Sequence, residues 1–258
     1  MQPPTLNEGN LERTLTTLAT DGYVVLDSAI PMSSIDIWRG AFTSALSSKY
    51  AGRNGLDQAR GHGGIHPPLR GPFLDPLIVE NPIVFQVLSR VLGQRFFGCL
   101  PYGCNTAFPG SAAQNVHRDC GQLFPGLEVR IPPVLVVVNI ALDDFTKANG
   151  ATEVWPGSHQ WPDTTEQEID YLRVEKHRLD EHQSCTIEMS AGSIVFRDMR
   201  TWHRGMPNKT DQPRTMISLV YYRKYYLPDD LVSYPPEEAD IEIERLSQRA
   251  IEVYRLRP

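Results

Sequence analysis

The sequence predicts a mainly β chain with flanking helices, its core an antiparallel double sheet of the jelly-roll kind. Three observations carry this. From about residue 95 to 226, apolar and β-branched runs bounded by turn residues follow one another with almost no helical patterning between them. Glycine and proline, 19 and 21 of 258 residues, interrupt the chain at short intervals, as many short strands require. Strands without intervening helices exclude a doubly wound parallel sheet, which needs a crossover helix after each strand.

The helical flank comes first. Leu11, Leu15 and Leu18 repeat at helical spacing behind Asn10, a cap, and the pattern stops at Asp21-Gly22. Tyr23 to Leu26 reads as a short strand. Ser33 and Ser34 open a second helix with an apolar face of Ile37, Trp38, Ala41, Phe42 and Ala45, ended by Gly52. Asn81-Pro82 is a cap followed by proline at the first helical position; Phe85, Leu88 and Leu92 form the buried stripe and Gly93 closes it. Residues 52–76, rich in Gly and Pro and carrying His62 and His66, are too irregular for a regular element and long enough for a lid or entrance loop.

Residues 96–100, 134–142, 151–155, 185–189, 193–196 and 214–226 then read as strands. The charged stretch 163–183 between two of them is expected to be a solvated helix or loop. In the tail, Ile243, Leu246, Ala250 and Val253 at helical spacing predict a helix packing back on the body. With no internal repeat, the chain reads as one domain over 1–258: a mostly helical flank (1–94), a jelly-roll core (95–226) and a C-terminal helix (227–258).

Composition narrows the function. Hydrophobic residues at 41% and charged residues at 22% are ordinary globular usage. A formal charge of -6 without Lys/Arg clusters lacks the footprint of a nucleic-acid binder. The longest apolar stretch, 134–142, is broken by Asn139 and falls short of the about 18 residues of a membrane helix. Cys99, Cys104, Cys120 and Cys185 are too sparse for a disulfide scaffold and lack CxxC spacing, so reduced thiols and a cytoplasmic location are expected, with no secretory signal in residues 1–9. The expected partner is a small-molecule substrate, with neither nucleic acid nor membrane, and the chain a monomer or homodimer.

Four pieces can carry chemistry. His117-Arg118-Asp119 places an imidazole and a carboxylate on one side of an extended segment, although such a pair alone equally describes a surface ion pair. His203 follows the strand at 193–196; a lone histidine there is more often a hydrogen-bonded structural group. Together, two imidazoles and one carboxylate form the facial set that suits non-heme Fe(II) with open positions for oxygen and an organic ligand. Arg214 opens the last strand; its planar fork can clamp a carboxylate, or form a salt bridge at a strand end. Asn149-Gly150 turns into a strand that Pro156-Gly157-Ser158-His159 closes. No P-loop or G-x-S-x-G elbow is present.

In order and spacing these pieces resemble the phytanoyl-CoA dioxygenase family of Fe(II)/2-oxoglutarate oxygenases, a family with a cupin-like double-stranded β-helix. Asp21 to Leu26 is similar to that family's opening segment, so the resemblance covers roughly residues 11 to 226. It implies Fe(II) on His117, Asp119 and His203, the distal carboxylate of 2-oxoglutarate on Arg214, and further polar contacts to this cosubstrate from Gln114 and Thr152. With O2 as oxidant it implies hydroxylation of an unactivated C–H with release of succinate and CO2; with no lipid-carrier segment or peroxisomal signal in the sequence, the expected substrate is a small molecule of specialised metabolism, a fatty acyl thioester being the other candidate. His159 is not a ligand in this family, and is expected to make a structural hydrogen bond. Placement alone nominates Tyr102, Tyr222, His62 and His66 as substrate contacts. Two alternatives stay open: a jelly-roll metalloenzyme that does not use 2-oxoglutarate, an isomerase or hydrolase, which Arg214 argues against, and a non-catalytic jelly-roll binding protein.

Overall fold

The computed structural model describes residues 5–50, 61–124, 131–162, 172–226 and 241–256. Helix α1 (Glu8–Asp21) is capped by Asn7, whose side chain accepts from the Asn10 N–H, so the cap lies one turn before the expected Asn10. It ends at Gly22, whose φ of 82° puts the chain in the left-handed region and turns it into β1 (Tyr23–Leu26). α2 (Met32–Tyr50) buries Ile35, Trp38, Phe42 and Leu46. The expected face is therefore rotated: Trp38 and Phe42 are in the core, Ala41 and Ala45 lie at its margin, and Ile37 is 62% exposed. Two stripes fit the period here, and packing selects the one with larger side chains at both ends; burying each Ile, Phe or Leu contributes about 1.5–3 kcal/mol. Gly52 lies outside the described residues.

After α3 (Pro76–Val79), α4 (Pro82–Val91) starts at Asn81, whose buried Oδ1 accepts from the N–H groups of Ile83 and Val84. It buries Ile83, Val84, Val87 and Leu88, with Phe85 at the margin.

The β core is wholly antiparallel. β2 (His62–Gly63), β3 (Phe96–Gly98), β4 (Gly103–Ala107), β5 (Leu135–Ala141), β8 (Ile194–Asp198) and β10 (Arg214–Arg223) join β1 in a seven-stranded sheet of order β1-β8-β5-β10-β4-β2, with β3 also on β10. β6 (Glu153–Val154), β7 (Cys185–Thr186) and β9 (His203–Arg204) form a second sheet, ordered β7-β6-β9. Side chains alternate across the large sheet. Val136, Val138, Ile140, Ile194, Phe196, Ile217, Leu219 and Tyr221 pack in one cluster with α1, α2, α4 and the tail. Val137, Asn139, Val195, Arg197, Met216, Ser218 and Val220 face the other way, into a cavity beside the small sheet. Every residue of β5 is buried, which explains its unbroken apolar run.

Several expectations are corrected. The sheet is not confined to residues 95–226, since β1 and β2 belong to it. β4, whose Gly-Cys-Asn-Thr-Ala sequence has little strand propensity, is held by pairing with β10. Residues 61–76 are not an irregular lid: His62 and Gly63 pair with Ala107 and Thr106, and Ile65, Leu69, Phe73 and Leu74 are in the core. Residues 51–60, the rest of that expected loop, lie outside the described residues, as do 163–171 and 227–240. In the charged stretch, α5 (Lys176–Asp180) buries nothing, as expected of a solvated segment. The tail helix is only α6 (Gln248–Val253), capped by Ser247; Ile243 sits in a preceding 3-10 turn. Among the described residues, no helix is long and apolar enough to cross a membrane.

Candidate metal centre

Backbone pairing brings the distant histidines together. The His117 N–H donates to the His203 carbonyl at 3.0 Å and the His203 N–H to the His117 carbonyl at 2.9 Å, while the Asp119 N–H donates to Met199 at 2.8 Å. His117 and Asp119, alternate residues of an extended segment, both line the cavity; Arg118 between them is buried elsewhere. Asp119 Oδ1 lies 3.7 Å from Nε2 of His117 and 3.7 Å from Nε2 of His203. Donors bound about 2.0–2.2 Å from a metal stand about 3–3.7 Å apart for angles of 90–120°; both carboxylate–imidazole separations match this, and all three donors lie within 4.8 Å of one another, a group that could hold one ion.

The far nitrogens hold the rings in place. Nδ1 of His117 is 2.9 Å from the Asn115 carbonyl, and Nδ1 of His203 is 3.0 Å from the Thr201 carbonyl and 3.1 Å from the Arg197 guanidinium. In both rings Nε2 is the nitrogen turned toward Asp119 Oδ1. Burial, reinforced by Arg197, pulls His203 down to about 3, which keeps the ring neutral. For Asp119 burial pushes upward, but Arg197 and the two imidazoles outweigh it and hold the carboxyl well below the usual carboxylate range. His203 and Asp119 are thus in the protonation states a metal requires.

Arg214 lines the same cavity, of about 480 Å³. It is 3% exposed, donates through Nη2 to the Gly150 carbonyl, and its guanidinium carbon sits 4.1 Å from the centre of the Phe145 ring. Its Nε has no hydrogen-bond partner among the described residues. Burial lowers it to about 10, so it stays cationic at neutral pH. An unsatisfied buried cation facing a cavity is a place for an anion. Gln114 and Thr152 line the space too. The Gly205 N–H donates to Gln114 Oε1 at 2.8 Å, which fixes that amide.

The substrate nominations divide. His62 lines this cavity, held by the Ala112 carbonyl at 3.1 Å and depressed in pKa by burial. His66 and Tyr102 line an adjoining cavity that shares Asn105, Ser218 and Val220 with the first. The Tyr102 hydroxyl is committed to the Phe73 carbonyl at 2.5 Å. Tyr222 lines neither space: two residues beyond Val220 on β10, it is buried beside Leu135 and Phe97 instead of reaching the cavity. His159 bonds the Ala19 carbonyl at 3.1 Å, the structural contact expected of it. Cys120 packs with Val134 and Met199, away from the three donors.

Sequence reasoning missed Arg197, Asn139 and Ser218. Their signal was alternation: each is a polar residue in an apolar strand, in phase with residues that face the cavity.

The family model described as phytanoyl-CoA dioxygenase matches residues 18–216. The dioxygenase aneA of Aspergillus aculeatus is 32% identical over 193 residues, 71% of this chain and 60% of that protein, so the match leaves two fifths of the relative's length uncovered. The iron/alpha-ketoglutarate-dependent dioxygenase ausO of Aspergillus calidoustus is 30% identical over 217 residues, 78% of this chain and 69% of that one. Among solved structures, the epimerase SnoN in complex with Fe3+, alpha ketoglutarate and nogalamycin RO superposes with a TM-score of 0.69 at 19% identity, covering 91% of this chain and 93% of that chain. The carbocyclase SnoK from nogalamycin biosynthesis gives 0.63 at 19%, covering 96% and 94%. At such identities the likeness is one of fold, the jelly roll described above.

Proposed function

The chain belongs to the phytanoyl-CoA dioxygenase family of Fe(II)/2-oxoglutarate oxygenases, and from that we propose that His117, Asp119 and His203 hold Fe(II), that Arg214 holds 2-oxoglutarate, and that the protein hydroxylates a C–H bond of a small molecule of specialised metabolism. The observation that carries this reading is the convergence of two imidazoles and one carboxylate, their donor atoms within 4.8 Å of one another, in a cavity also lined by a buried guanidinium whose Nε has no partner among the described residues. Ferrous ion and 2-oxoglutarate, when bound, supply oxidation of the substrate by O2 with release of succinate and CO2.

The chain's own residues do the rest. Arg214 fixes the distal carboxylate of 2-oxoglutarate by charge-assisted hydrogen bonds, with Phe145 behind the guanidinium keeping it from turning away. Thr152 and the Gln114 amide, already oriented by Gly205, supply polar contacts along the chain of the cosubstrate. Ile187, Met189, Val195 and Met216 form an apolar wall that excludes water between the donors and Arg214. In the same cavity His62, Asn105, Asn139 and Ser218 offer hydrogen bonds to an oxygen-bearing substrate, and the adjoining cavity with His66 extends the space available to it. A metalloenzyme that does not use 2-oxoglutarate has no use for a buried cation in this position, and a binding protein has none for the three converging donors.

The test is turnover. Purified protein with Fe(II) and 2-oxoglutarate should form succinate in an O2-dependent manner, stimulated by the true substrate, whose product gains one oxygen atom. Loss of two hydrogens or an isomer of unchanged mass would replace hydroxylation by another outcome of C–H oxidation; turnover in the absence of 2-oxoglutarate would overturn the assignment of Arg214.

A further inference from the structure

Arg197 is a cationic side chain in direct contact with two of the three converging donor residues. β8 lies between β1 and β5 in the large sheet and is buried along its whole length; Val195 and Arg197 are its two residues on the cavity face. The Arg197 side chain is 8% exposed and donates through Nη2 to Asp119 Oδ2 at 2.7 Å, and its Nη1 lies 3.1 Å from Nδ1 of His203. The guanidinium therefore meets two of the three donor residues on the side facing away from the ion position. The other carboxylate oxygen, Oδ1, is the one that stands 3.7 Å from both Nε2 atoms.

We propose that Arg197 is a positioning residue for the metal: by occupying Asp119 Oδ2 it presents Oδ1 alone to the ion, and by offsetting the carboxylate charge it leaves the divalent ion its full attraction for the dianionic cosubstrate. The inference rests on the metal reading above. A carboxylate without that partner is free to turn Oδ1 off the ion, or to bring Oδ2 onto it in place of 2-oxoglutarate; one pinned at Oδ2 holds Oδ1 in place. Removing a partner of this kind, hydrogen-bonded to a ligand rather than to the metal, typically lowers metal affinity ~10–100-fold. A buried ion pair serving the fold alone makes a different prediction, since its loss lowers stability and leaves the affinity of the folded protein as it was.

The experiment is a calorimetric titration of full-length protein with Mn(II), which binds such sites without redox chemistry, followed by 2-oxoglutarate, on wild type, Arg197→Met, Arg197→Lys, Asp119→Ala and the Arg197→Met/Asp119→Ala pair. Thermal unfolding is recorded alongside, so that only folded variants are compared. The expected result is a ~10–100-fold loss of Mn(II) affinity in Arg197→Met, a smaller loss in the charge-retaining Arg197→Lys, and 2-oxoglutarate binding weakened in the same order. In the Asp119→Ala background Arg197→Met should add nothing, because the effect runs through that carboxylate. Mn(II) and 2-oxoglutarate affinities of both Arg197 variants within twofold of wild type, with only melting temperature changed, would overturn the inference alone. Wild type that binds no more Mn(II) than His117→Ala would overturn the metal reading and this inference with it.

Discussion

Arg214 and the triad test different halves of the site. Truncating Arg214 to Met removes the partner of a buried carboxylate, a loss of about 2–5 kcal/mol, or roughly 30-fold and more in affinity. The expected outcome is a matching rise in the 2-oxoglutarate concentration needed for half-maximal turnover, with Mn(II) binding unchanged, measured by succinate formation and calorimetry on the same preparation. At this scale the sequence was legible where chemistry restricts the side chain. His117, Asp119 and His203 are spaced as the resemblance requires, and the geometry brings all three together. Arg197 was not legible, because an arginine in a strand reads as a surface residue until the sheet shows which face it is on. Tyr222 misled for a different reason: it is in phase with Met216, Ser218 and Val220, but it lies farther along β10 and packs on Leu135 and Phe97 outside the cavity.

Elements transmit these positions through their ends. Asn81 sits at the start of α4 with its Oδ1 taken by two N–H groups and its Nδ2 given to the Leu77 carbonyl at 3.1 Å. Asn81→Ala leaves those groups buried without partners, and should cost about 1–2 kcal/mol, seen as a melting temperature lower by about 2–8 °C with 2-oxoglutarate affinity intact. Gly205 has the opposite profile. A Cβ there would lie 2.4 Å from Cε1 of His62 and 2.9 Å from Oε1 of Gln114, so Gly205→Ala must displace both cavity side chains. We expect about a tenfold weaker response to 2-oxoglutarate, equivalent to 1.4 kcal/mol, with little change in melting temperature. Helix boundaries were read well at α4, where the Asn-Pro pair leaves little choice, and poorly at α1, where Asn7 and Asn10 are equally able to cap and only the packed structure decides. β2, β4 and β9 went unread because strands of two to five residues with Gly, Asn or His depend on pairing partners, not on their own propensity.

Across the whole molecule, one face of the large sheet is sealed by helices and the other opens to the cavity, so stability and site share the same strands. The jelly-roll architecture was legible because alternation and turn spacing are global patterns; the path of residues 61–76 was not, because Gly and Pro there announce turns without saying that the chain then joins the sheet edge. The packing of sheet and helices has a pH consequence at His159. Burial depresses this imidazole, and its Nδ1 has no hydrogen-bond partner among the described residues. Its folded pKa lies below the unfolded value near ~6.5, so the unfolded chain binds the extra proton as pH falls. Stability is therefore full above that value and declines below it. In urea unfolding of the metal-free protein, the midpoint should drop from pH 7.5 to 5.5, and His159→Gln should drop less; equal drops would assign the acid loss to other groups.

The central claim is that three side chains meet on one ferrous ion beside a guanidinium that holds a keto diacid. The most direct measurement is an anaerobic titration of the protein with Fe(II) and then 2-oxoglutarate, followed by the visible metal-to-ligand charge-transfer absorption that develops when the cosubstrate chelates the metal. The account predicts this absorption in the wild type, saturating at one iron per chain, and its loss in His117→Ala, Asp119→Ala and His203→Ala. An undiminished band in any of those three variants, or none in the wild type, would contradict it.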